Sequence, residues 1–250
     1  PLINKNILPM LRALNSRSIR WGRTTNGISL RKTGIFDESL RADYVHVSID
    51  AGSDETYQNL KRGKPGYFEI VMSNLSELVR LRHSKRSETK IIASLLIQKE
   101  NVAEIPELSR RLKKMGVDLF QIKMQHMDGR RYMTPAEVTD AYRIIDETRS
   151  RDGDARYQVV AVQGLEEALR KVPQKRSGLI QIQRRNKPTT PINPFEQCFA
   201  GMLGIAGSVS APGVVWACCQ MGGGRTLGSF GDLEQGFKNV WTGAERAYAL

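Results

Sequence analysis

Cysteine is scarce in this chain: 250 residues contain three, none of them before Cys198, and two are adjacent as Cys218 and Cys219. A disulfide framework is thereby excluded, and a reducing, cytoplasmic setting with metal ligation or plain thiols is expected. The three histidines, His46, His83 and His126, show no metal-ligand spacing, and only His126, just past a strand tip, is placed to meet a substrate. No apolar run approaches the length that crosses a bilayer, so no membrane partner is expected. A basic-then-apolar signal pattern is also lacking, and the first residue is Pro1 rather than Met. The natural start of the gene is therefore expected upstream.

What is present is an ordinary globular composition, 40% hydrophobic and 26% charged, in a chain long enough for one large domain plus a small one. The net charge of +12 is unevenly placed. Residues 195–250 carry 3 basic and 4 acidic side chains, 11 of the 22 glycines and every cysteine, which leaves +13 on residues 1–194. Seven basic residues and no acid fall between Arg170 and Lys187, enough to attract phosphate or an acidic peptide. Aromatic residues are not interleaved there, which argues against nucleic-acid stacking and favours a solvated connector. Gly222-Gly223-Gly224-Arg225 lacks the lysine and hydroxyl of a phosphate loop and reads as a hairpin turn.

Strand-like runs at 44–49, 91–97, 117–124 and 157–162, with a weaker one at 18–24, alternate with helical patterns. Phe68, Val71, Met72, Leu75, Leu78 and Val79 form one apolar stripe, and Leu108, Leu112 and Met115 another. Thr134-Pro135-Ala136-Glu137 is a capping box that starts a helix running to about Ser150. Alternation of this kind predicts an α/β fold of parallel strands with covering helices, whose chemistry sits beyond the strands' carboxyl ends. The tips carry Thr24-Thr25-Asn26-Gly27, then Ser48 and Asp50 before Ala51-Gly52-Ser53, then Asn101, then Lys123-Met124-Gln125. Taken singly these are ordinary: Thr-Asn-Gly is a turn and Ser53 before Asp54-Glu55 an N-cap. Together they suit a ligand bearing ribose hydroxyls, an amine and a carboxylate.

In order, TTNG at a strand end, a helix of about ten residues, YVHVSIDAGSDETY, a long helix, a buried strand with Asn101 and Glu104 after it, and a strand after KKMGVD resemble the second half of a radical S-adenosylmethionine barrel. The molybdenum-cofactor cyclase and peptide-modifying members look similar across residues 5–125. The resemblance implies that Thr25, Ser48 and Met124 contact S-adenosylmethionine, with Asn26 and Asp50 beside them and either Lys90 or Ser94 on the third strand. Alternation along a strand puts Ser48 and Asp50 on one face and Ile49 on the other, and Thr25 and Met124 are expected to converge on the first.

Cys198 is followed by 14 residues, Gly213, four residues and Cys218, with Leu227-Gly228 and Trp241 further on. This resembles the opening of the SPASM or twitch extension and implies that Cys198 and Cys218, with Cys219 as a third ligand or bystander, hold an auxiliary [4Fe-4S] cluster. Four thiolates normally hold one such cluster, so three leave it a ligand short. The family's Cys-x-x-x-Cys-x-x-Cys and its Gly-Gly-Glu type motif are absent from the chain. The expectation is a partial (β/α) barrel lacking its first units at 1–165, a basic linker at 166–194 and a small Gly/Cys-rich auxiliary domain at 195–250. The activity implied is generation of a 5′-deoxyadenosyl radical for hydrogen abstraction from a peptide or small-molecule substrate, with electrons from a flavodoxin or ferredoxin. The alternative is a noncatalytic basic α/β module binding nucleic acid or an acidic partner.

Overall fold

A computed structural model describes residues 6–32, 34–124 and 133–161, short stretches at 208–209, 214–216 and 231–232, and single residues at 234 and 239. The chain divides into two units, Pro1–Arg176 and Ser177–Leu250. The first runs α1 (Ile7–Ser16), β1 (Gly22–Thr25), α2 (Ile35–Ser39), β2 (Tyr44–Ser48), α3 (Asp54–Lys61), α4 (Tyr67–Ser84), β3 (Lys90–Ile97), a 3-10 turn at Val102–Glu104, α5 (Ile105–Met115), β4 (Leu119–Met124), α6 (Pro135–Asp152) and β5 (Gln158–Ala161).

The five strands form one parallel sheet in the order β1-β2-β3-β4-β5. Because spatial order follows chain order, each right-handed crossover lays its helix on the same side of the sheet. Burial confirms the asymmetry. Val45, Val47, Ile91, Ala93, Phe120 and Ile122 are fully buried, in one core with Phe68, Leu75 and Leu78 of α4 and Leu108 and Leu112 of α5. The alternate residues on the other face, called the open face below because no described helix covers it with a core, are mixed: His46 and Ser94 are buried, Ser48, Leu96, Gln121 and Lys123 half-buried, and Tyr44 and Val160 exposed. The expected α/β class is thus present as a five-strand parallel sheet, consistent with a partial (β/α) barrel, with one face covered by helices and the other partly buried.

Local sequence explains the elements. The two apolar stripes lie in α4 and α5, and α4 is capped from outside by Asp54, whose carboxylate accepts from the N–H groups of Gly66 (2.9 Å) and Phe68 (3.2 Å). Gly116 ends α5 with φ of +91°, where a Cβ would press to 3.3 Å from Val79. In α6 the capping box forms as expected, and the helix runs two residues further, to Asp152. Arg82 joins α4 to the strands' amino ends by pairing with Asp118 and donating to the Gly116 carbonyl (2.8 Å), while Asp118 accepts from Ile91 N–H (2.7 Å). The helix expected after TTNG is corrected from about ten residues to five, because the chain turns through Gly27 and Gly34, both at positive φ, before it can start. The first strand begins at Gly22 rather than Ser18, since Ser18 at φ of +53° ends the approach from α1.

In the second unit the described strands β6 (Ser208–Val209), β7 (Val214–Trp216) and β8 (Gly231–Asp232) form an antiparallel sheet in chain order. Cys198, Cys218, Cys219, His126 and the basic segment 170–187 lie outside the described residues. Among the described residues no helix is long and apolar enough to cross a membrane, and no group of three His, Cys, Asp or Glu could hold a metal ion.

Candidate functional site

Parallel pairing sets side chains level and on the same face, so the register decides which tip residues meet. Ser48 pairs with Ser94, and Ser94 with Gln121. These three lie in one row on the open face, and Lys123 stands one row further toward the carboxyl end, level with Leu96. Behind Ser48, His46 is level with Thr24 on β1 and Ile92 on β3. Lys90 pairs with Tyr44 at the opposite end, four residues or about 13 Å from Ser94. Of the two third-strand alternatives, Ser94 is therefore the one that meets Ser48. Among the described residues none of Thr24, Ser48, Ser94, Gln121 and Lys123 has a side-chain hydrogen-bond partner.

The remaining tip residues are used by the fold itself. Thr25 pairs with Val47, so it belongs to the helix-covered face; it is 4% exposed and its hydroxyl accepts from Gly27 N–H at 3.2 Å. Asn26 is exposed and its Oδ1 accepts from Ile28 N–H at 3.3 Å. Gly27 at φ of +80° completes the turn, where a Cβ would come within 2.9 Å of Val47 and Val71, and buried Asn74 holds its carbonyl at 2.9 Å. Met124 pairs with Ile97 at the end of β4, and its side chain lies outside the described set. The expected convergence is corrected for Thr25 alone, which is one residue out of phase with Ser48.

Asp50 departs from the alternation for a different reason. Strand β2 ends at Ser48, and Asp50 sits at φ of +60°, so the two-residue period no longer applies. Its Oδ1 accepts from Leu96 N–H at 2.8 Å and its Oδ2 pairs with Lys61 Nζ at 2.5 Å. Asn101, fully buried, donates to the carbonyls of Asp50 (3.0 Å) and Leu96 (2.9 Å) and accepts from Gln98 N–H (2.8 Å). The Glu104 carboxylate accepts from Gly52 N–H (2.7 Å), Ser53 Oγ (2.6 Å) and Thr56 Oγ1 (2.8 Å). Ser53 in turn accepts from Thr56 N–H as the N-cap of α3. These groups knit the loops after β2 and β3 into a rigid rim.

Sequence reasoning missed Gln121, noted Lys123 only as part of a strand tip and gave His46 no role. The signal was present: apolar Phe120 and Ile122 mark the covered face of β4, which leaves Gln121 and Lys123 to the other. His46 is 7% exposed, and its Nε2 is buried with no hydrogen-bond partner. Burial pushes its pKa down to about 4, helped by the Lys123 ammonium and opposed by the Asp50 carboxylate, so the ring is neutral at neutral pH.

No protein-family model and no curated protein sequence matches the chain. Among solved structures, Streptococcus suis SuiB is similar at 13% identity and TM-score 0.65, covering 98% of this chain and 54% of that one. SuiB bound to S-adenosylmethionine gives the same identity and TM-score with 53% of that chain covered, and SuiB bound to precursor peptide SuiA gives TM-score 0.63 with 52%. The chain thus spans about half the length of the structures it resembles. The likeness is one of fold.

Proposed function

We propose that this chain is the adenosyl-binding part of a radical S-adenosylmethionine enzyme that modifies a peptide. The observation that carries the reading is Ser48 opposite Ser94, both without side-chain hydrogen-bond partners among the described residues, on the open face of a sheet whose fold resembles SuiB. Support for the ligand and substrate classes comes from the SuiB structures bound to S-adenosylmethionine and to a precursor peptide. The polar set fits the ligand: serine hydroxyls and the Gln121 amide both donate and accept, and Lys123 donates, as ribose hydroxyls, an amine and a carboxylate require. The fold's own contribution is to position these groups on adjacent strands and to hold the rim fixed through Asp50, Asn101 and Glu104.

The primary iron-sulfur cluster does not fit residues 1–197, which contain no cysteine. Reductive cleavage of the ligand is accordingly assigned to thiolates that this part does not carry, and no step is routed through it. Cys198, Cys218 and Cys219 are proposed as ligands of an auxiliary [4Fe-4S] cluster on the strength of their spacing, in a SPASM-like auxiliary domain at 195–250 that follows a linker at 166–194. A cytoplasmic location and a flavodoxin or ferredoxin as electron donor belong to the same proposal.

Calorimetric titration with S-adenosylmethionine tests the reading. Ser48→Ala should weaken binding about two- to tenfold, the net worth of one hydrogen bond, whereas Thr25→Ala should leave it unchanged. Absence of adenosyl binding, together with RNA binding that falls steeply with salt, would overturn the reading in favour of the basic binding module.

A further inference from the structure

Helix α3 is held differently from its neighbours. Helices α4 and α5 seat apolar stripes in the core, whereas α3 buries Tyr57 alone. Eight residues are too few to stay helical on their own backbone bonds, so polar contacts supply the rest of the hold. Those contacts crowd the start of the helix. Glu104 accepts from Gly52, Ser53 and Thr56, and the Asp54 carboxylate accepts from Gln58 Nε2 (2.9 Å), Gly66 N–H (2.9 Å) and Phe68 N–H (3.2 Å). The bond from Gly66 closes the base of the loop that leads to α4. At the far end of α3 the side-chain tie is a single ion pair, Lys61 Nζ to Asp50 Oδ2 at 2.5 Å. That tie runs between two stretches of left-handed backbone: Asp50 itself has φ of +60°, and Arg62, next to Lys61, has φ of +52°. Residues with side chains hold this conformation at a cost, and such positions gather in parts that switch. Beyond the tie, Arg62, Lys64 and Pro65 are exposed.

We propose that the Lys61–Asp50 ion pair is the latch of a flap, residues 59–65, that closes against the tip of β2. When the pair breaks, the last turn of α3 unwinds and the flap moves between its two fixed ends, buried Tyr57 and the Asp54-bound Gly66, while the sheet and the Asn101 rim stay formed. With the pair made, the Asp50 side chain is 15% exposed. Opening uncovers that carboxylate, two residues past Ser48, so the latch governs access to the tip. The inference holds whatever ligand the open face takes, and it stands or falls separately from the proposed function.

The test is amide hydrogen exchange of the whole chain, read residue by residue by NMR. Lys61→Met keeps the stem and removes the charge; Asp50→Asn keeps an acceptor for the Leu96 N–H and removes the pair. Each should speed exchange at residues 59–61 about three- to tenfold, with Leu96 and the amides of α4 unchanged, and the double variant should go no further than either single one. Melting checks that each variant folds, and Asp50→Asn decides alone if Lys61→Met does not. A helix end that merely frays gives the same exchange at 59–61 in parent and variants, and that result overturns the latch. So does acceleration spread equally over α4 and β3, which reports general destabilisation, or single effects that add in the double variant, which shows that the two residues act independently.

Discussion

His46 shows how one side chain records the asymmetry of its sheet. Its neighbours at 45 and 47 are packed in the helix-covered core, while it faces the other way with Nε2 unpaired. With a folded pKa of about 4 against about 6.5 unfolded, the unfolded state binds more protons between those values. Stability from this group is therefore complete above pH 6.5 and lost as pH falls toward 4. By pH 4.5 the loss should reach roughly 2–3 kcal/mol. Urea unfolding at pH 7.5 and 4.5 should show that loss in the parent and not in His46→Gln; parallel pH profiles for the two proteins would contradict it. Arg23 is the counterpart on β1, level with Val45, its three guanidinium nitrogens buried without partners and its pKa lowered by burial to about 10. The same scale explains where sequence reasoning slipped. Ser48, Thr25 and Met124 were all chosen by family resemblance; the alternation of β2 made the facing of Ser48 legible, whereas Thr25 is level with apolar Val47 on the other face.

At the scale of elements, the rim is held by side chains that the sequence marked without explaining. Asn101 stood out as a strand-tip amide and Glu104 only through resemblance; the structure shows Asn101 satisfying two carbonyls and one N–H, and Glu104 gathering the first turn of α3. Removing the Asn101 amide strands three backbone groups in a buried setting, each worth about 1 kcal/mol net and more when left unsatisfied. Asn101→Ala should therefore lower stability by about 2–4 kcal/mol in urea unfolding and speed amide exchange at Gln98, and an unchanged midpoint would show that the rim does not depend on it. Helices with strong periodicity, α4 and α5, were legible from their apolar stripes, and α6 from its capping box. Helix α1 was not, and of α3 only the start was, from Ser53 as N-cap, because α3 buries Tyr57 alone and has no apolar face to read.

At the largest scale, the first unit has five parallel strands in chain order with α4 and α5 packed on one face, and the likeness to SuiB is one of fold. Fold class was legible because strand and helix periods alternate from β1 to β5; the open face was not, since it depends on register between strands distant in sequence. The account turns on that face being where ligand binds. The direct measurement is methyl NMR of isoleucine-labelled protein titrated with S-adenosylmethionine. Ile92, on the open face beside His46, should shift, while Ile91 and Ile122, fully buried on the helix-covered face, should stay in place. Shifts confined to Ile91 and Ile122, or none at saturating ligand, would contradict the account.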